Sequence, residues 1–274
     1  MHKQIYLTRE TYQTELSKKS FDDWMTLKGQ PFRDVKGRKT LQVKLEGNSY
    51  FIKQHFGVGW AEIFKNLVSL RKPIISARTE KLAIEKLDEI GIPTTPLVAF
   101  GQRGSNPATR QSFLVTRDLG NIISLEDYCA DWLKKPPSEK FKRDLIVAVA
   151  QLARKLHEAG LVHRDFYICH LCLDANLLAK GKIKLYLIDL HRLAMGQPQA
   201  GRAVMKDIAA LYFSAMDIGL SNEDLEIFKQ NYTQYLPENF WSDVKARADK
   251  LYQKFHTDKF QQRLKAEKAT LNQE

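Results

Sequence analysis

The chain has 274 residues, 43% of them hydrophobic, enough for a sizeable core, and this excludes overall disorder. A formal charge of +11 points to an anionic partner: nucleic acid, anionic lipid or a phosphorylated substrate. The N-terminal stretch MHKQIYLTRETYQTEL lacks the apolar core of a signal peptide, and the longest apolar run, Leu145 to Ala150, is too short to span a bilayer, so a cytoplasmic protein is expected.

Residues 1 to 30 are polar with scattered aromatics (Tyr12, Phe21, Trp24) and read as a short helix or a docking arm. From Leu41 the pattern sharpens. Leu41, Val43 and Leu45 alternate with polar residues, Glu46-Gly47-Asn48 supplies a turn, and Tyr50 to Lys53 resumes a strand, giving a β-hairpin that ends on a lysine. Lys53 is either an ordinary edge-strand lysine or one with a specific partner. Gly57-Val58-Gly59 follows the strand but lacks the third glycine and acidic partner of a dinucleotide site. Trp60, Ile63, Phe64 and Leu67 then lie at helical spacing near Lys65, Arg71 and Lys72. A core-facing helix is the expectation, and a basic amphipathic helix touching a membrane is the sharper option. Over Ala77 to Leu87, Glu80, Ile84 and Leu87 fall at i, i+4 and i+7, so Glu80 shares the buried face and needs a cation. Gly91-Ile92-Pro93 ends that helix, and Pro96 to Phe100 and Ser112 to Thr116 read as two strands. Residues 1–118 thus predict a small, mostly antiparallel lobe, and Arg117-Asp118-Leu119-Gly120 the crossing to a helical second domain, 119–274.

In that second half, Leu125 to Trp132 predicts a short helix, and Phe141, Leu145, Val149, Leu152 and Leu156 trace one face of a long helix ending at Gly160. His163-Arg164-Asp165 follows on a loop. Leu173 to Leu178 and Ile183 to Leu187 read as a hairpin around Ala179-Lys180-Gly181-Lys182, with Asp189 just past its end. Cys129, Cys169 and Cys172 give no disulfide framework. The Cys169-x-x-Cys172 pair lacks the second pair of a zinc site, and half-buried filler is the better reading. Asp207 has two equal readings, a brace accepting backbone hydrogen bonds from the His163 loop or a helix N-cap. His191, Arg192, Arg202 and Lys206 form a basic segment suited to an anionic acceptor, and Trp241, Val244, Ala248, Leu251 and Phe255 make one apolar seam on a basic helix. That helix is expected to pack on the second domain, a contact with membrane or acidic protein being the sharper option.

The order Lys53, Glu80, Asp165, Asp189 resembles the protein-kinase pattern: a strand lysine paired with a helix glutamate, a catalytic-loop Asp and a metal-binding Asp. The strings SLEDYCADW (Ser124 to Trp132), HRDFYICH (His163 to His170), IDLHR (Ile188 to Arg192) and LYFSAMDIGL (Leu211 to Leu220) resemble the lipopolysaccharide core heptose(I) kinases of Gram-negative bacteria over roughly residues 30 to 220. The resemblance implies an α+β, bilobal protein-kinase-like fold with a small antiparallel-sheet N-lobe and a larger, mainly helical C-lobe. It further implies ATP-dependent phosphorylation of the first inner-core heptose on a lipid-linked acceptor, at the cytoplasmic face of the inner membrane. Carried over residue by residue, Asp165 is the catalytic base, Asp189 a ligand of Mg2+, Lys53 the phosphate clamp and Glu80 its orienting partner. His170 stands where protein kinases have a metal-binding asparagine, which points to a softer ion such as Mn2+ or to one firmly held metal. In place of a G-x-G-x-x-G loop there is only Lys36-Gly37-Arg38-Lys39-Thr40, so Arg38 or Lys39 is expected to supply phosphate-binding charge. Arg192 and Arg202 are the candidate acceptor contacts. The rival readings are a kinase of Kdo, the second heptose or protein, and a non-catalytic nucleotide- or lipid-binding pseudokinase. No nucleic-acid module accompanies the charge.

Overall fold

The computed structural model describes residues 4–35, 37–68, 75–232, 235–262 and 266; Lys36, Arg71 and Lys72 lie outside the described residues. In chain order come β1 (Gln4–Leu7), α1 (Phe21–Thr26), β2 (Gln30–Val35), β3 (Arg38–Leu45), β4 (Asn48–His55), α2 (Gly59–Val68), α3 (Arg78–Glu89), β5 (Leu97–Arg103), β6 (Gln111–Arg117) and β7 (Ile122–Ser124). They are followed by α4 (Leu125–Cys129), α5 (Glu139–Glu158), β8 (Leu171–Asp174), α6 (Ala175–Leu178), β9 (Leu185–Leu187), α7 (Arg202–Ser214), α8 (Asn222–Tyr232) and α9 (Phe240–Phe255). One sheet runs β1-β5-β6-β4-β3-β2 and a second runs β7-β8-β9. The chain divides into two compact units, Met1–Ile122 with Tyr186–Leu193, and Ile123–Leu185 with Ala194–Glu274.

In the first unit the large sheet is antiparallel throughout. The β3–β4 turn uses two positive-φ residues, Glu46 (51°) and Gly47 (76°), the twist a two-residue hairpin requires. β4 continues two residues past Lys53 to His55 and lies between β3 and β6, which rules out the edge-strand reading of Lys53. Register fixes the faces: Arg38 opposes His55, Thr40 opposes Lys53 and Gln42 opposes Phe51, so these six share one face. The alternate residues point the other way. Ile52 joins the core of Trp24, Val43, Val98, Phe113 and Val115, and Gln54 Nε2 donates to the Trp24 carbonyl at 2.9 Å. The polar N-terminal stretch is therefore part of this core. Ser20 caps α1 in a reciprocal box with Asp23, and the helix delivers Phe21 and Trp24 against Phe113 at centroid distances of 5.4 and 5.6 Å. Such ring pairs contribute about 0.5–1.5 kcal/mol each beyond area burial.

Two expectations are corrected. In α2, Ile63 faces inward, but Trp60 (51% exposed) and Phe64 (59%) do not, so the core-facing reading holds for only part of that helix. The strand expected from Leu173 to Leu178 stops at Asp174. Asp174 accepts the N–H groups of Asn176 and Leu177 at 3.1 and 3.0 Å, so it caps a helical turn, and the good helix formers Ala175, Leu177 and Leu178 follow it.

The second unit is mainly helical. Ser138 caps α5, whose Leu145, Val149, Leu152 and Leu156 are buried, and α5 packs on α8 while α7 packs on α9. Val244 and Ala248 of α9 are buried in that contact, the core-facing reading of this helix. Cys129 and Cys172 are buried, and burial pushes their thiols up to about 12 and about 11. This unit also holds an apolar cavity of about 470 Å³, lined by Trp132, Ile146, Val149, Ile208, Leu211 and Trp241 among others.

Candidate active site

The first unit brings Lys53 and Glu80 together. Glu80 occupies the first turn of α3 at 5% exposure, and Lys53 Nζ lies 2.6 Å from its Oε1. A carboxylate so buried needs this counter-charge. Tyr186–Leu193 enters the same unit because Leu187 is held at both ends: its N–H donates to the Pro93 carbonyl at 2.9 Å, and its own carbonyl accepts from Thr94 Oγ1 at 2.6 Å. α3 then packs against the single turn Leu190–Arg192. Asp189, just before that turn, adopts the left-handed conformation (φ 61°, ψ 54°), uncommon for a non-glycine residue and a mark of functional loops. His191 Nδ1 donates to Asp189 Oδ1 at 2.5 Å.

Sequence reasoning missed His55. It is 7% exposed, and burial first, then the positive fields of Arg38, Lys53 and His191, pull its pKa down to about 4, so it is neutral. Its position two residues after Lys53 was the signal available, since i and i+2 share a strand face. Close backbone packing encloses this end of the sheet. Gly37 (φ +80°) lies so near Gly57 that a Cβ on it would meet the Gly57 carbonyl at 2.6 Å, and Phe56 N–H donates to the Gly37 carbonyl at 2.9 Å. Gly57 (φ +93°) abuts Ala108 in the same way, at 2.7 Å. The Gly57 glycine is thus there for close approach.

The second unit builds the loop of Asp165. Asp207 lies inside α7, whose N-cap is Gly201, so the N-cap reading of Asp207 is overturned. Its carboxylate instead accepts the backbone N–H groups of His163 (2.6 Å) and Arg164 (2.8 Å), with Arg164 at φ +73°. Behind it stands His157, with Nε2 3.4 Å from Asp207 Oδ2 and Nδ1 2.6 Å from the Tyr232 hydroxyl. Asp165 is half-buried beside the fully buried Phe166. His170 Nδ1 donates to the Asp165 carbonyl at 2.7 Å, which orients the imidazole on the catalytic loop.

The basic segment expected from His191 to Lys206 is divided between the units. Arg192, exposed, belongs to the first, while Arg202 and Lys206 lie one turn apart on α7 in the second. Burial and the fields of Arg202 and of Arg247 on α9 lower the Lys206 pKa.

An antiparallel sheet with a strand-lysine to helix-glutamate pair, together with a helical unit carrying a braced H-R-D loop, defines a kinase-like fold of α+β class and a phosphotransferase. The model of the Lipopolysaccharide kinase (Kdo/WaaP) family matches residues 22–232, and the chain belongs to that family. It is 45% identical over 216 residues to lipopolysaccharide core heptose(I) kinase WaaP of Escherichia coli, covering 78% of this chain and 82% of that one. To the protein of the same name from Pseudomonas aeruginosa (strain PAO1) it is 39% identical over 242 residues, or 85% and 90% of the two chains. A solved structure, WaaP in complex with acyl carrier protein, superposes with a TM-score of 0.76 at 34% identity, over 91% of this chain and 99% of the other.

Proposed function

We propose that this chain transfers the γ-phosphoryl group of ATP to a hydroxyl of the first heptose of the lipopolysaccharide inner core. The observation that carries this reading is the 2.6 Å Lys53–Glu80 pair, in a chain 45% identical to a heptose(I) kinase. Lys53 holds nucleotide phosphate, with Glu80 fixing the direction of its ammonium group, and Arg38 on the same sheet face adds charge where the glycine-poor loop offers few N–H donors. Asp165 accepts the proton of the acceptor hydroxyl. The new bond joins that oxygen to Pγ, the bond from Pγ to the bridging oxygen breaks, and ADP leaves with the electron pair. Asp189 and His170 are each proposed, from the resemblance, as a ligand of a divalent ion, Mg2+ or the imidazole-tolerant Mn2+, which would neutralise phosphate charge. Arg192 and Arg202 meet anionic groups of the acceptor.

The acceptor is lipid-linked, which places the enzyme at the cytoplasmic face of the inner membrane in this reading; among the described residues no helix is long and apolar enough to cross a membrane. A protein partner is also proposed, supported by the acyl carrier protein bound in the structural relative and by the apolar cavity of about 470 Å³ in the second unit. The deciding experiment incubates γ-labelled ATP with a purified heptose-containing core acceptor and either wild type or Asp165→Ala. Labelled heptose from wild type, with a rate loss of about 10²-fold or more in the variant, is expected. Equal labelling by both proteins would overturn the assignment of Asp165, and label on Kdo, the second heptose or protein would select one of those readings instead.

A further inference from the structure

His55 is a buried polar group that the preceding roles leave without a task. Its side chain is 7% exposed, and its Nδ1 is buried with no hydrogen-bond partner among the described residues. An unsatisfied buried polar nitrogen is costly to a fold, and a ligand that completes it is one reason a native structure keeps such a group. The location is informative. His55 shares its sheet face with Lys53, and its cross-strand neighbour is Arg38, the residue that follows the tip glycine Gly37. The permanently positive groups whose fields reach it are Arg38 on β3 and Lys53 on β4. The opposite strand face is already occupied, by Ile52 in the core and Gln54 on the Trp24 carbonyl. Two cationic side chains, Arg38 and Lys53, beside one neutral imidazole suit a polyanion, not a lone cation. Beside it along the chain, the Gly37, Gly57 and Ala108 backbones interlock, which fixes the end of this strand.

We propose that His55 is a further nucleotide-binding residue, its imidazole donating an N–H to an oxygen of the terminal phosphates of ATP. The inference rests on the kinase reading above and extends it to a residue outside the lysine, glutamate and aspartate pattern. Because the imidazole is neutral and pre-placed, it supplies a donor without a second counter-ion. It thereby does part of the work of the backbone N–H groups that a glycine-rich loop provides.

Binding of a non-hydrolysable ATP analogue, ADP and AMP to the full chain tests this at neutral pH, by calorimetry, with His55→Leu and His55→Asn. In His55→Asn an amide N–H takes the place of the imidazole N–H. About tenfold weaker analogue binding by His55→Leu, with AMP affinity unchanged and the loss largely recovered in His55→Asn, is expected. Equal analogue affinity in all three proteins would overturn the role of His55. So would a loss as large for AMP as for the analogue, since that is what a merely structural residue gives. A wild-type chain that binds no adenine nucleotide would instead bring down the kinase reading together with this one.

Discussion

Asp207 accepts hydrogen bonds from two successive backbone N–H groups at 1% exposure, a task that suits an ionised carboxylate. With that oxygen an acceptor, His157 must present Nε2–H toward it, so Nδ1 holds the lone pair and the Tyr232 hydroxyl is its donor. Burial also raises the Tyr232 pKa, keeping its proton in place. Tyr232→Phe leaves Nδ1 an unpaired buried acceptor, so a stability loss of about 1–3 kcal/mol is expected from urea unfolding at an unchanged m value. A variant as stable as wild type would mean that water replaces the hydroxyl. The H-R-D triplet and the Lys53 and Glu80 positions were legible in sequence, because a motif and an i, i+4, i+7 spacing expose them. The link from Tyr232 to His163 was not, since its members come from α5, α7, α8 and the loop and are joined only by packing.

At the level of elements, β4 is the organising strand: one face completes the core through Ile52, and the other presents Phe51, Lys53 and His55. Alternation in the sequence gave its period, but not its place inside the sheet. That place depends on β6, whose Leu114 pairs with Lys53 from 61 residues further on. The two turn glycines at its ends differ in a measurable way. Gly47 (φ +76°) has open space where a Cβ would go, whereas at Gly57 (φ +93°) a Cβ would meet the Ala108 carbonyl at 2.7 Å. Gly47→Ala should therefore cost only the left-handed backbone term, about 1–2 kcal/mol. Gly57→Ala should cost more, about 2–4 kcal/mol, and should weaken ATP binding as well, because the Gly37 tip rests on it. Thermal melts of the two variants compare them directly, and equal losses would show that the interlock contributes nothing. Asp174 makes the same point about α6: its capping geometry overrides a strand-like apolar run.

For the whole molecule, the buried groups set the acid limit. A histidine whose folded pKa lies below its unfolded value adds no penalty above the unfolded pKa. As pH falls below 6.5 the unfolded chain takes up a proton that the folded chain refuses until about 4, so stability is lost across that window. For His55 the loss reaches about 3 kcal/mol at its lower end. Asp118 and Asp224 have carboxyl groups held below the usual range by hydrogen bonds that outweigh their burial, from Gly120, Ser49 and Gln42 in one case and from Lys142 and Ser221 in the other. Their contribution is present above the unfolded pKa and lost as pH falls through the folded one, so it fails only in stronger acid. Melting temperature against pH should thus decline first between 6.5 and 4, and His55→Asn should flatten that part alone. A decline unchanged in the variant would remove His55 as its source.

The sequence by itself determined the class of fold, the family and the side chains with kinase chemistry, because spacing and motif are local properties that a strand or helix period displays. Only the tertiary structure decided that Tyr186–Leu193 joins the first unit, that Asp207 braces a loop 44 residues earlier in the chain, and that His55 is buried with a nitrogen unpaired among the described residues. These depend on which distant donors meet which acceptors once water is excluded, and a local period carries no record of that.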